Sequence, residues 1–262
     1  MGLERVQHQE LIYYHHPKWQ NIKHGIFTRH GGVSAAPWSS LNLGGTQGDE
    51  VTHVQQNHHL MYDALDVNGG NAVTTWMVHG VDVVIADAPV PGRKWLAQAD
   101  AILTDKPDLP LVMRYADCTP LLYRDPTQGV IGLAHAGWRG TVQGMASVTV
   151  KAIQAHYGSN PTDIEVIIGP TISCKNFQVG EEVVEAFEGY FGTLDNLMRR
   201  DPDDGTAYLD LWEANRLDLV QSGIPDKNIT IAGICTHART DDFFSHRAEK
   251  GRTGRFGVVM SL

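Results

Sequence analysis

Apolar residues fall along this chain in short blocks cut by Gly and Pro, and the period within each block predicts its element. Brief β-branched or aromatic runs at Val73–Val78, Val81–Ala86, Leu111–Tyr115, Val130–His135, Ile164–Ile168 and Ile229–Ile234 read as buried strands. Spacing near 3.6 residues marks helices. Val51, Val54, His58, Met61 and Leu65 define one, with Asp49 as its candidate N-cap. Val142, Met145, Ala146, Thr149 and Ile153 define a second that stops near Gly158, and Val183, Val184, Phe187 and Phe191 a third. A fourth starts at Asp210, where Glu213 completes a capping-box spacing, and stops near Gly223 and Pro225. Strands and helices are interspersed without repeats, low-complexity tracts or long linkers. The expected class is therefore α/β or α+β, with residues 1–262 forming a single domain.

Composition narrows the function. Hydrophobic residues make up 42% and charged residues 19% of 262, enough for a substantial core without disulfide or metal staples. Non-specific nucleic-acid binding draws its affinity from Lys and Arg on phosphates. With 21 such residues against 30 Asp and Glu, and a net charge of -9, no nucleic-acid partner is expected. A local pocket for a small anion stays compatible with that balance. No apolar run approaches the roughly 20 residues that span a bilayer, so no membrane association is expected. The first ten residues are polar and lack a secretory apolar stretch, which points to a cytoplasmic location. Three cysteines, Cys118, Cys174 and Cys235, do not make a disulfide framework. The sequon at Asn228–Thr230 has no secretory context and reads as coincidence.

Several familiar signatures are missing: the glycine patterns of dinucleotide and P-loop sites, the Gly-x-Ser-x-Gly elbow, and the His-x-Glu with Pro-Cys-x-x-Cys of the usual zinc deaminases. The densest chemistry lies in residues 114–140. Arg114-Tyr115-Ala116-Asp117-Cys118-Thr119-Pro120 precedes an apolar strand that ends in His135-Ala136-Gly137-Trp138-Arg139-Gly140. Upstream, His79 ends another strand-like run. His79, Cys118 and His135 make a plausible three-ligand zinc set that leaves one position open. The spacings, 39 and 17 residues, require convergence in space. From spacing alone a Cys118–His135 nucleophile pair and a purely structural role stay open as well.

Other clusters are polar loops on their face value. Arg29, His30, Ser40 and Asn42 lie among paired glycines in segments that suit an anion or a sugar hydroxyl, or simply connect strands. Cys235 and His237 form a second metal-type pair, while Phe243 and Phe244 read as core anchors. The basic run Arg247–Arg255 reads as a solvated loop or a phosphate or substrate contact.

Taken in order, the segments TRHGGVS, SLNLGG, VHGVDVV, ADAILT, YADCTPLLY, HAGWRGTV, GPTI, FQVGEEV, FFSHR and TGR resemble one family. It is the purine nucleoside phosphorylase family once described as multicopper polyphenol oxidases or laccase-domain proteins, the YfiH-like family. The resemblance runs from about Ile26 to Arg255. It implies mixed β-sheets layered between helices. It also implies zinc on His79, Cys118 and His135, and phosphorolysis of adenosine, inosine and methylthioadenosine with adenosine deamination. The family's usual Gln is Met77 here, its Tyr-Glu is Phe177-Gln178, and FFSYR carries His246.

Phosphorolysis builds positive charge on the sugar and negative charge on the purine, so a cation for phosphate and a donor for the base lower the barrier. Arg29 is the expected phosphate-side cation, with Arg139 and Arg247 as alternatives; Ser40 and Asn42 are further candidate substrate contacts. Asp117 is a candidate proton carrier, a support for the metal ligands, or a turn cap. The rival functions are a copper-dependent phenol oxidase, a Cys–His hydrolase acting on cell-wall precursors, and a binding module without turnover.

Overall fold

The computed structural model describes residues 2–90 and 94–262. Its centre is an interface between two sheets. One is antiparallel throughout, in the order β1 (Glu4–His8), β2 (Leu11–His15), β3 (Lys23–Phe27), β14 (Phe256–Ser261), β6 (Leu111–Tyr115). The other has six strands in the order β13 (Ile229–Ile231), β9 (Glu165–Ile168), β7 (Thr119–Asp125), β8 (Val130–Ala136), β5 (Ala101–Thr104), β4 (Val83–Ile85). Its edge strands β13 and β4 pair in parallel with their neighbours, and the inner pairs are antiparallel.

Alternation of side chains across each strand creates the layers. Ile26, Leu111, Met113 and Val258 from the first sheet meet Ile102, Leu122, Leu133 and Ile167 from the second in one buried cluster. The opposite residues face outward to helices. Ala101, Leu103, Leu121 and Ala134 pack under α3 (Met145–Tyr157) and α5 (Leu211–Gln221), through Met145, Val150, Ile153 and Leu219. Val112, Val259 and Phe27 pack under α1 (Val51–Ala64) through Met61 and Tyr62. The result is a helix–sheet–sheet–helix stack, the mixed layered α/β architecture expected from the sequence. A three-stranded sheet of β10 (Gln178–Val179), β12 (Ala207–Leu209) and β11 (Met198–Arg200) joins α4 (Glu181–Phe191) around a smaller cluster at one side.

Local signals explain the helix limits. Asp210 caps α5, its side chain accepting from the Glu213 N–H at 3.1 Å. Gly158 ends α3 in the left-handed region, φ 71°, where glycine carries no Cβ penalty. The first cap lies one residue later than expected. Glu50 precedes α1 without a side-chain cap, while Asp49 binds Ser34, Asn42 and the Glu50 N–H. The second helix starts later than expected: Val142 is the C-cap of a separate short helix, α2 (Trp138–Thr141), and α3 begins at Met145 after Gly144.

Residues Val73–Val78 are not a strand. Val73 bridges to Leu111 and Trp76 to Gln98, so the segment engages two separate neighbours and cannot hold one register. The expected Ile229–Ile234 strand stops at Ile231, two residues before Gly233 at φ 65°. Strands β1–β3, β5, β7 and β14 carry too many polar residues or lie too close to turns for their period to stand out.

Candidate metal centre and its cavity

Hairpin β7–β8 closes the 17-residue gap between Cys118 and His135. Its register pairs Thr119 with Ala136 and Pro120 with His135, which sets Cys118 and His135 at the same end. Residues 78–80 approach that end from the edge of the sheet. The ligand atoms of His79, Cys118 and His135 all lie within 4.8 Å of one another. The two imidazole rings stand nearly perpendicular, 81° apart, with centroids at 4.9 Å. Gly137 makes room for this approach: a Cβ there would lie 3.0 Å from Cys118 Sγ and 3.3 Å from His79 Cδ2.

Asp100 builds the other half of the arrangement. It precedes β5, whose pairing with β8 sets Ala101 opposite Ala134 and brings Asp100 beside His135. Its fully buried carboxylate accepts from the backbone N–H groups of Val78, His79 and Gly80 at 2.8–3.0 Å. It also contacts His135 Nδ1 at 2.9 Å. One carboxylate therefore holds the loop of one ligand and the ring of another. Engaging Nδ1 leaves His135 Nε2 for the metal, the usual support for a ligating imidazole. His79 itself sits at φ 61°, in a turn that aims three successive N–H groups at Asp100.

These contacts polarise the group. Burial pushes the Cys118 thiol up, but His135 and then His79 outweigh it and hold the thiol at about 6. Burial pushes the His135 imidazolium down, but Cys118 and Asp100 outweigh it and raise the ring to about 9. Burial likewise works to raise Asp100, yet its bonds to His135, Gly80 and Val78 keep it below the usual range. A thiolate beside two imidazoles, with a fourth direction free, matches zinc's donor preference and a copper site's equally.

The group lies in the wall of a cavity of about 900 Å³. Asp117, Arg139 and Arg247 line the same cavity, as do the departures Met77, Phe177 and His246. Asp117 ties loops together: Oδ1 accepts from Thr236 Oγ1 at 2.6 Å and Oδ2 from the Arg247 N–H at 2.7 Å. The Arg247 guanidinium reaches the Gln178 carbonyl and lies over the Phe177 ring. Arg139 lies over Trp138, 4.4 Å from the ring centroid.

Arg29, Ser40 and Asn42 do not reach this cavity. Arg29 pairs with Glu249 at 3.2 Å, donates to the Ser39 and Thr240 carbonyls and stacks on Phe244, so its charge is already compensated. With His30 and Ser40 it lines a separate hollow of about 330 Å³. Ser40 bonds Arg29 and Gly32 within its own loop. Asn42 is fully buried and bonds Gly44, Asp49 and Arg255. Cys235 and His237 belong to no three-ligand group among the described residues, and Phe243 and Phe244 are the expected core anchors.

Asp100 is not among the site residues that the sequence suggests, although its segment ADAILT is one of the ordered motifs. Arg114 and Arg255 fall within the 114–140 cluster and the basic run 247–255, but neither stands out there as an individual site residue; both line the cavity wall. Only the pairing of β5 with β8 identifies Asp100, and only the cavity selects those two arginines from the rest.

Comparison with known proteins places the chain. A family model described as multi-copper polyphenol oxidoreductase laccase matches residues 23–262. The purine nucleoside phosphorylase YlmD of Geobacillus stearothermophilus is 36% identical over 245 residues, covering 91% of this chain and 89% of its own. A purine nucleoside phosphorylase of Bacteroides thetaiotaomicron is 34% identical over 243 residues, covering 90% of each chain. The crystal structure of the hypothetical protein YfiH from Bacillus licheniformis matches with TM-score 0.91 at 30% identity, over 99% of this chain and 98% of that one. The Geobacillus stearothermophilus YlmD structure matches with TM-score 0.91 at 32% identity, over 98% and 97%. Ordered motifs, near full-length relatives and a shared fold agree: this chain belongs to the multi-copper polyphenol oxidoreductase laccase family, together with YfiH and YlmD.

Proposed function

We propose that the protein is a zinc-dependent purine nucleoside phosphorylase acting on adenosine, inosine and methylthioadenosine, with adenosine deamination as a side activity. The observation that carries this reading is the His79–Cys118–His135 group in the wall of a nucleoside-sized cavity, in a chain whose relatives are named purine nucleoside phosphorylases. A multi-copper oxidase needs several metal positions. Among the described residues only this one three-ligand group occurs. A protein assembled on this plan holds one ion per chain.

Zinc held by His79, Cys118 and His135 supplies Lewis acidity and a lowered pKa for water. The chain's own residues supply placement. Asp100 fixes the His135 ring and the His79 loop. Asp117 has both carboxylate oxygens engaged, so its part is to hold the Thr236 and Arg247 loops against the cavity rather than to carry a proton. Arg139 and Arg247 line the same chamber as the metal group and offer donors there for the phosphate or the departing purine. In the reaction a phosphate oxygen bonds to the sugar C1′, the C1′–N bond breaks, and the purine takes a proton.

Adenosine with inorganic phosphate is expected to give adenine and ribose 1-phosphate, with some inosine, by chromatography of the products. Adenine that never appears, or appears equally without phosphate, rejects phosphorolysis.

One observation favours a second reading. Cys118, His135 and Asp100 also line up as nucleophile, base and orienting carboxylate, with the thiol held low by the imidazoles. This is the arrangement of a Cys–His hydrolase, for example one acting on cell-wall precursors. Timed alkylation separates the two. A zinc-bound Cys118 labels slowly and speeds up after chelation, with Cys174 and Cys235 as references. Rapid labelling in the metal-loaded protein, with full turnover in its absence, selects the hydrolase.

A further inference from the structure

The main cavity contains a second chemical feature that the metal group does not use. Arg255 lines it from just before β14. Its guanidinium donates to the Thr253 and Gly254 carbonyls and to Gln47 Oε1. Among the described residues no carboxylate lies within ion-pair distance of it, whereas Arg29, Arg124 and Arg216 each have one. Burial works against its charge, and the more distant Cys118 and Asp117 only partly offset this. A half-buried cation with no carboxylate in direct contact favours an incoming anion.

Gly44, Gly45, Thr46 and Gln47 border the same cavity. The Gly44 N–H is bonded to Asn42 Oδ1, but those of Gly45, Thr46 and Gln47 meet no acceptor among the described residues. Successive unengaged N–H groups beside a guanidinium make an anion-binding concavity. The two segments are locked in register. Asn42 Oδ1 accepts from both the Gly44 N–H at 2.9 Å and the Arg255 N–H at 2.8 Å, and the Leu43 N–H donates to the Arg255 carbonyl at 3.0 Å. Gly44 is required for the contact, because a Cβ there would come within 2.7 Å of Arg255 Cγ.

We infer that Arg255 and the Gly45–Gln47 backbone form a tetrahedral-oxyanion subsite, and, resting on the phosphorylase reading, that inorganic phosphate occupies it during turnover. This moves the phosphate from Arg29, whose charge Glu249 compensates, to the chamber that contains His79, Cys118 and His135. Nucleophile and nucleoside then share one cavity.

The test uses the zinc-loaded full chain and inorganic phosphate. Phenylglyoxal labels accessible arginines, and mass spectrometry reads each peptide separately. Phosphate is expected to slow Arg255 modification about tenfold, while the exposed Arg252 on the same loop reacts at an unchanged rate. By calorimetry, Arg255→Gln and Gly44→Ala should each weaken phosphate about ten- to a hundredfold, with Arg255→Lys in between. The wild-type footprint and Gly44→Ala keep the test valid if Arg255→Gln fails to fold. Unprotected Arg255, or unchanged phosphate affinity in Gly44→Ala and Arg255→Gln, overturns the subsite. Phosphate-dependent adenine release with unprotected Arg255 rejects the subsite and keeps the phosphorylase. Protection without adenine release supports the subsite and rejects the phosphorylase.

Discussion

Single residues divide the labour at the metal group unequally. Cys118 brings the negative charge, so its removal should abolish binding, whereas Asp100 only orients the two histidines. Cys118→Ala is expected to lose essentially all zinc by elemental analysis while keeping its far-UV circular dichroism; full zinc retention rejects the ligand assignment. Asp100→Asn preserves shape but gives up the charge that faces three N–H groups and the His135 ring. Its zinc affinity, measured by chelator competition, should fall roughly 10- to 100-fold, the usual cost of losing such a partner. An unchanged affinity means that packing alone orients His135. Proton coupling has a matching sign. The ligand set needs a thiolate and two neutral imidazoles, so zinc affinity should fall as acid protonates them.

At the scale of elements, the fold rests on strong local signals where burial is one-sided. Helix α5 shows this: its Asp210 cap satisfies the Glu213 N–H, one of the free donors of the first turn. Asp210→Ala should cost about 1 kcal/mol and lower the midpoint of thermal unfolding by about 2–4 °C, whereas Asp210→Asn retains an acceptor and costs little. Calorimetry of both variants checks it, and an undiminished midpoint in Asp210→Ala would mean that the cap contributes nothing. Where an element contacts two neighbours, pattern fails. Residues 73–78 have the apolar content of a strand, but they answer alternately to residues 110–111 and 97–98.

Across the whole molecule, acid stability follows from a histidine far from the cavity. His24 lies in β3, 4% exposed, and accepts the His16 N–H on Nε2 at 2.8 Å. Burial lowers its pKa from 6.5 to about 4. The unfolded chain therefore binds this proton first as pH falls below 6.5. Stability is lost progressively between about 6.5 and about 4, by roughly 3 kcal/mol at about 1.4 kcal/mol per unit. Denaturant unfolding across that range, in Cys118→Ala to remove metal release, should show the slope. His24→Gln keeps an acceptor and should flatten it; an undiminished slope assigns the effect elsewhere.

The sequence by itself determined the class of fold, the third and fourth helices and the Leu111–Tyr115 strand, because period and residue type are local properties; it offered His79, Cys118 and His135 as one possible ligand set, which the fold brings within 4.8 Å of one another. It also excluded a membrane-spanning apolar run; among the described residues no helix is long and apolar enough to cross a bilayer. Which polar residues meet was decided only by tertiary structure. Arg29 and Arg255 look alike as loop arginines, yet one pairs with Glu249 and the other lines the main cavity with no carboxylate in ion-pair contact among the described residues. Asp100 is unremarkable in its segment until β5 pairs with β8 and brings it to His135. An arginine's free charge and a carboxylate's four donors depend on neighbours distant in sequence, and the local pattern contains no record of them.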